Sequence, residues 1–133
     1  MIVDTSVLVA ILANEPDRAP FEAVLDRARK SLISAGSWVE FTTVLVRNFG
    51  IADPAPLLED FAKGYGLSVA PVTTEQATIG SAAYARYGRG TGHPARLNFG
   101  DCFSYALAKI TGEPLLFKGD DFSQTDIVSA LPS

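Results

Sequence analysis

The sequence has too few cysteines for disulfide cross-links, and it has no long apolar run. Among 133 residues there is one cysteine, one histidine, one methionine and one tryptophan. The single cysteine, Cys102, forms no internal disulfide, which fits a reducing compartment. Neither a stretch of ~18 apolar residues nor a basic, apolar leader is present. We therefore expect a cytoplasmic protein that does not span a membrane.

The charge balance is mildly acidic. Eleven Lys and Arg face fifteen Asp and Glu, which gives a net charge of −4. This balance argues against nonspecific nucleic-acid binding through overall charge. It does not exclude a nucleic-acid enzyme, because cations bound by acidic residues reverse the sign of the local charge. Apolar residues make up 47% of the chain, so disorder is not expected. The length predicts one domain, residues 1–133.

Short apolar strands alternate with amphipathic helical patterns along the chain. Strands are predicted at residues 1–3, 31–35, 67–72, 114–117 and, at an edge of the sheet, 127–131. Helices are predicted at 7–13, 17–30, 37–50, 54–64, 75–87 and 98–112. The alternation predicts an α/β fold, a three-layer α/β/α sandwich with a mostly parallel sheet of about five short strands.

Acidic residues follow strands or open helices at four places. Asp4 follows the first strand, Glu40 and Asp101 lie in the first turns of two predicted helices, and Asp120 and Asp121 follow the fourth strand. In a parallel sheet the strand C-termini and the N-termini of the next helices share one edge. We therefore expect these acids to project toward a single crevice.

Each acid also has a purely structural explanation. Ser37 and Glu40 have the spacing of a capping box, and Asn98 and Asp101 have a similar spacing. Asp4 could cap the helix that follows it. Capping does not require all of the acids to lie at one edge, so the shared edge favours a functional cluster.

A cluster of carboxylates has a specific chemical use. Two carboxylates roughly 4 Å apart repel by about 4 kcal/mol at an effective dielectric near 20, so a cluster needs a raised pKa or a cation. Oxygen ligands without nearby His or Cys select Mg²⁺ or Mn²⁺. Such a site polarises phosphoryl oxygens and acidifies a bound water, as phosphodiester hydrolysis requires.

Four segments, in order along the chain, resemble the PIN-domain family, specifically the VapC-type toxins of bacterial toxin–antitoxin pairs. They are MIVDTSVLVAIL, SWVEFTTVL, HPARLNFGDCFSYALAK and LLFKGDDFSQTDI. The resemblance implies a metal-dependent endoribonuclease that acts on a structured RNA such as tRNA. It also implies a cognate VapB-type antitoxin that blocks the site.

The resemblance also implies roles for individual residues. The family's metal-binding and catalytic acids are matched by Asp4, Glu40, Asp101 and Asp121. We favour Asp121 over Asp120 because the family's acid precedes the phenylalanine matched here by Phe122. Positions that support the acids or the metal are matched by Ser6, Asp120, Thr125 and Asp126.

Residues 84–98 carry three arginines and the only histidine, with no acid. One interpretation is a segment beside the acidic site that contacts RNA phosphates through Arg86, Arg89, His93 and Arg96. The alternative is a solvated loop with scattered arginines. For His93, which lies among glycines far in sequence from every acid, loop structure is the leading interpretation.

Partners and alternative functions follow from the same residues. Few charges lie on 38–46 and 103–107, so apolar helix surface is available for a homodimer and a toxin–antitoxin hetero-oligomer. A receiver-type phosphotransfer domain also gathers acids around Mg²⁺, but it needs a pair of acids after its first strand, and Asp4 is followed by Thr5. The remaining alternative is a binding module, which binds a partner peptide and has no catalytic activity.

Overall fold

A parallel sheet of four strands forms the centre of the computed structural model, which describes residues 1–132. The strands are β1 Ile2–Val3, β2 Ser31–Ser34, β3 Leu67–Ala70 and β4 Leu115–Leu116. Their order across the sheet is β3-β2-β1-β4, and each of the three pairings is parallel. The predicted α/β class and its parallel sheet are confirmed.

Six α-helices connect and cover these strands within the described residues. They are α1 Thr5–Leu12, α2 Arg18–Arg27, α3 Ala35–Phe49, α4 Ala55–Gly64, α5 Thr74–Tyr87 and α6 Asp101–Thr111, followed by a 3₁₀ turn at Phe122–Gln124. None of these helices has both the length and the apolar character that a membrane crossing needs.

The two faces of the sheet bury two separate apolar clusters, because side chains alternate along a strand. Val3, Ile33 and Leu116 pack with side chains of α1 to α4 on one face. Ile2 and Leu115 pack with side chains of α5 and α6 on the other. This arrangement is the predicted three-layer α/β/α sandwich.

The predicted edge strand at 127–131 is wrong. Within the described residues this segment forms a single bridge, between Leu115 and Ser129. Two hydrogen bonds make the bridge, Leu115 N to Val128 O at 2.9 Å and Ala130 N to Leu115 O at 2.8 Å. Since β4 is itself only two residues long, it offers little edge for a fifth strand to pair with.

The start of α3 also differs from the prediction. Strand β2 runs directly into α3, and the hydroxyl of Ser34 caps the helix by accepting from Gly36 N at 3.2 Å. The predicted capping box of Ser37 and Glu40 is therefore wrong. Ser37 lies inside the helix with a fully buried side chain, and Glu40 lies in the second turn.

Candidate active site

A cleft of about 350 Å³ opens where β1 and β4 end and where α1 and α6 begin. Its lining contains the four acids that the sequence singled out, Asp4, Glu40, Asp101 and Asp121. These residues come from four separate segments of the chain. The topology therefore brings them to one place, as the shared edge of a parallel sheet requires.

Asp4 is the most deeply buried of the four acids. It follows β1 directly, and its side chain is almost fully buried. One carboxylate oxygen, Oδ2, accepts from Ser6 N at 3.0 Å and so caps α1. The other, Oδ1, accepts from the hydroxyl of Ser104 at 2.5 Å. Asp4 therefore caps a helix and lines the cleft at the same time.

Glu40 lies against the first turn of α6, beside Gly100. A Cβ atom built on Gly100 would stand only 2.5 Å from Cδ of Glu40, so only glycine leaves room for this carboxylate. Burial raises the pKa of Glu40, and the charge of Asp4 raises it further, while the Thr5 hydroxyl opposes both. Glu40 is thus a carboxyl group that gains a proton more readily than usual.

Asp101 opens α6 and forms a reciprocal pair with Asn98. Asp101 Oδ2 accepts from Asn98 N, and Asn98 Oδ1 accepts from Asp101 N, each at 2.9 Å. The pKa of Asp101 is raised to about 7 in total, with burial as the largest cause and the Asn98 hydrogen bond opposing it. The charges of Asp4, Asp121 and Glu40 contribute to the same rise, so the four acids share one electrostatic environment.

The structure distinguishes the two neighbouring acids after β4. Asp121 lines the cleft, whereas Asp120 is exposed and is not part of the lining. The backbone carbonyl of Asp120 accepts from Ser123 N at 3.2 Å and from the Ser123 hydroxyl at 2.6 Å. Asp120 therefore shapes the turn before the 3₁₀ helix, and Asp121 is the acid that faces the other three.

Like Asp120, two further predicted supporting residues lie outside the cleft lining. The Thr125 hydroxyl donates to Phe122 O at 2.7 Å. Asp126 accepts from the hydroxyl of Tyr105 at 2.7 Å and from Lys109 Nζ at 2.8 Å. The contacts of Asp126 tie the C-terminal segment to α6, whereas that of Thr125 is local, and neither side chain is part of the cleft lining.

Ser6, the remaining supporting residue, does line the cleft, and so does Lys118. The hydroxyl of Ser6 accepts from the backbone N–H of Lys118 at 3.0 Å. Lys118 Nζ pairs with Glu15 and, at 3.3 Å, with Asp17. No sequence signal joins these partners, because about a hundred residues separate them.

A buried serine in contact with Asp4 was also missed. Ser104 is fully buried on α6, and it bonds to the equally buried Ser37 of α3 at 3.1 Å. Ser104 lies three residues after Asp101, a spacing that places both side chains on one helix face. That spacing is the signal that could have identified Ser104 from the sequence.

The predicted RNA-contacting residues do not line the cleft. The side chains concerned are those of Arg86, Arg89, His93 and Arg96. His93 Nδ1 accepts from Ala95 N at 3.1 Å, and its ring packs edge-on against Tyr87 at 4.8 Å. His93 therefore holds the loop in shape. The segment ends at Asn98, which does line the cleft.

The donor atoms at this cleft suit a hard cation. In the part of the chain that the structure describes, no three acidic, histidine or cysteine side chains are already arranged to hold a metal ion. The cleft nevertheless presents carboxylates together with hydroxyl and amide groups, the oxygen ligands that Mg²⁺ and Mn²⁺ prefer.

This fold and site define a class of protein. The family model described as "PIN domain" matches residues 1–128. The chain therefore belongs to the PIN-domain family, as its four motifs predicted.

Curated relatives narrow the position within that family. The chain is 46% identical over 127 residues to Ribonuclease VapC42 of Mycobacterium tuberculosis, covering 96% of each protein. It is also 46% identical over 134 residues to Ribonuclease VapC30 of the same organism, covering 99% of this chain and 100% of the relative. The predicted resemblance to VapC-type proteins is confirmed, and the receiver-type alternative has no support.

Solved structures show the same fold. VapC20 of Mycobacterium tuberculosis, described as a "Sarcin-Ricin loop cleaving toxin", superposes with a TM-score of 0.76 and covers 98% of both chains at 21% identity. A toxin-antitoxin complex from Klebsiella pneumoniae gives a TM-score of 0.68, with 97% and 96% coverage at 16% identity. At these identities the likeness supports the fold alone.

Proposed function

We propose that this chain is a metal-dependent endoribonuclease and the toxin of a toxin–antitoxin pair. The observation that carries the proposal is the convergence of four acids on one cleft, where burial and the three neighbouring charges raise the pKa of Asp101 to about 7. Membership of the PIN-domain family and 46% identity to curated VapC ribonucleases support RNA as the substrate.

In this proposal Asp4, Asp101 and Asp121 hold the cation, with Glu40 beside them. When bound, Mg²⁺ or Mn²⁺ would polarise a phosphoryl oxygen and lower the pKa of a water molecule. Asp4 and Asp101 suit direct binding because hydrogen bonds from Ser6, Ser104 and Asn98 fix their short side chains. Glu40 either binds directly or orients the attacking water, a role that fits a carboxylate with a raised pKa.

The proposed substrate is a structured RNA such as tRNA, approached along residues 84–98. Arg86, Arg89 and Arg96 are exposed, and they lie on the segment that leads to Asn98 in the cleft lining. Exposed guanidinium groups there would contact the RNA backbone and offset the repulsion between phosphate and the acids. We assign His93 the lesser role of shaping this segment, with phosphate contact as its second use.

The proposed partners are a VapB-type antitoxin and a second copy of this chain, all in the cytoplasm. The 46% identity to VapC ribonucleases supports the first partner, because the VapC resemblance implies a VapB-type antitoxin. A basic antitoxin side chain placed over the cleft would neutralise its carboxylates and exclude RNA. Exposed apolar side chains on α3 and before α6, including Val39 at 64% and Phe99 at 78% exposure, support self-association.

The proposal is tested by incubating the purified chain with a tRNA pool in Mn²⁺, in EDTA, and in EDTA followed by excess Mn²⁺. We expect cleavage only when free Mn²⁺ is present, and none by Asp4→Asn under any condition. Equal cleavage by Asp4→Asn and the wild type would overturn the proposed chemistry. Mn²⁺ binding without cleavage of any RNA would instead indicate a binding module.

A further inference from the structure

Two buried serines form a hydrogen-bonded chain that ends on Asp4. The hydroxyl of Ser104 on α6 donates to Asp4 Oδ1 at 2.5 Å. The hydroxyl of Ser37 on α3 lies 3.1 Å from that of Ser104. Both serines are fully buried, so neither can touch a substrate. Three elements that are distant in sequence are therefore joined at a single carboxylate.

The direction of this chain follows from counting hydrogens. An ionised carboxylate only accepts hydrogen bonds, and a serine hydroxyl has a single hydrogen to donate. Ser104 uses its hydrogen on Asp4, so Ser37 must be the donor to Ser104. Each hydroxyl in such a chain polarises the next one, which strengthens the final bond to the carboxylate.

The contact differs from what a serine inside a helix ordinarily does. Such a hydroxyl commonly bonds back to the carbonyl four residues earlier in its own helix. Ser104 instead reaches Asp4, a hundred residues away in sequence, while Ser6 N holds the second oxygen. With one donor on each oxygen, about two of the roughly four lone-pair sites of Asp4 are left for a ligand.

We propose that Ser104 is a positioning residue, which fixes the Asp4 carboxylate in the orientation that binds the divalent cation, and that Ser37 supports it. The inference rests on the proposed function, since it assigns Asp4 to the metal. It extends that function to a residue that lies outside the cleft lining and acts only through Asp4.

The test is Mn²⁺ binding to the full-length chain, measured by isothermal titration calorimetry. Loss of a hydrogen-bond partner behind a metal ligand typically weakens metal affinity by about 10- to 100-fold, and we expect this for Ser104→Ala. Ser37→Ala should weaken binding less, because Ser104 can still donate to Asp4.

The matched control is Tyr105→Phe, at the next position on α6. This change also removes a hydroxyl-to-carboxylate bond, at 2.7 Å to Asp126, but outside the cleft. Its Mn²⁺ affinity should equal that of the wild type. Thermal unfolding of each metal-free protein shows whether a loss of binding merely reflects unfolding.

Three results would overturn the inference. Wild-type affinity in Ser104→Ala would show that Asp4 needs no positioning. An equal loss in Tyr105→Phe would show a general effect of disturbing α6. Absence of Mn²⁺ binding by the wild type would overturn the proposed function together with the inference, whereas the first two results leave the proposed function standing.

Discussion

Replacing Gly100 with alanine should impair the site without removing any of its functional groups. Gly100 precedes α6 with φ −64° and ψ −36°, an ordinary helical conformation that alanine adopts without strain. Glycine-to-alanine changes at compatible positions stabilise proteins by about 0.4–1 kcal/mol, because they restrict the unfolded chain. The backbone alone therefore predicts a folded protein of equal or slightly greater stability.

The three atoms nearest to the new methyl group all belong to the Glu40 carboxylate. The methyl carbon would stand 2.5 Å from Cδ and 2.9 Å from Oε1 of Glu40, whereas carbon atoms in contact are about 3.5–4.0 Å apart. Oε2 of Glu40 would lie closer still, so the carboxylate must move by roughly 1.5–2 Å to reach ordinary contact, which its flexible side chain permits. A misplacement of about 1 Å can cost on the order of 100-fold in rate, and we expect a loss of that size.

The assay combines initial rates of RNA cleavage at saturating Mn²⁺ with urea unfolding of the metal-free protein. Gly64→Ala is the matched control, because Gly64 also lies in a helix and a Cβ there would meet nothing within 4 Å. The control should keep the wild-type rate. In a Glu40→Gln background the Gly100→Ala change should have little further effect. A wild-type rate for Gly100→Ala alone would refute the assigned position and role of Glu40.

Two further predictions concern stability. Because the folded-state pKa of Asp101 is raised from 3.8 to about 7, the stability that this group contributes is fully present below pH 4 and is lost as pH rises to 7. The free energy of unfolding of the metal-free protein, measured in urea, should fall over this pH range. The fall should be smaller in Asp101→Asn. Equal pH dependence in the wild type and the variant would show that Asp101 is not its cause. Ser34, and not Ser37, caps α3. Ser34→Ala should therefore lower the free energy of unfolding by about 1 kcal/mol, measured in the same urea experiment.

Local patterns were enough to predict the parts of the site that depend on neighbouring residues. Asp4 follows a strand and caps the next helix, and Asn98 pairs with Asp101 three residues later. The alternation of strands and helices then predicted a parallel sheet, in which the acids lie at the same edge. These features were predictable because each depends on backbone geometry within a few residues.

Contacts between distant segments were not predictable in the same way. Two serines three residues apart could both cap α3, and the sequence alone does not show that Ser37 is taken by Ser104. Asp126 resembles a supporting acid, but tertiary packing gives it Lys109 as its partner. The predicted fifth strand lacked a partner because β4 has only two residues.

The central claim is that the acids facing the cleft, and not acidity in that region generally, carry RNA cleavage. Asp121 and Asp120 are adjacent and chemically identical, yet only Asp121 lines the cleft. The most direct measurement is therefore the rate of Mn²⁺-dependent RNA cleavage by Asp121→Asn and by Asp120→Asn. We predict that Asp121→Asn is inactive while Asp120→Asn cleaves at close to the wild-type rate. Equal rates in the two variants, or loss of activity only in Asp120→Asn, would contradict the account.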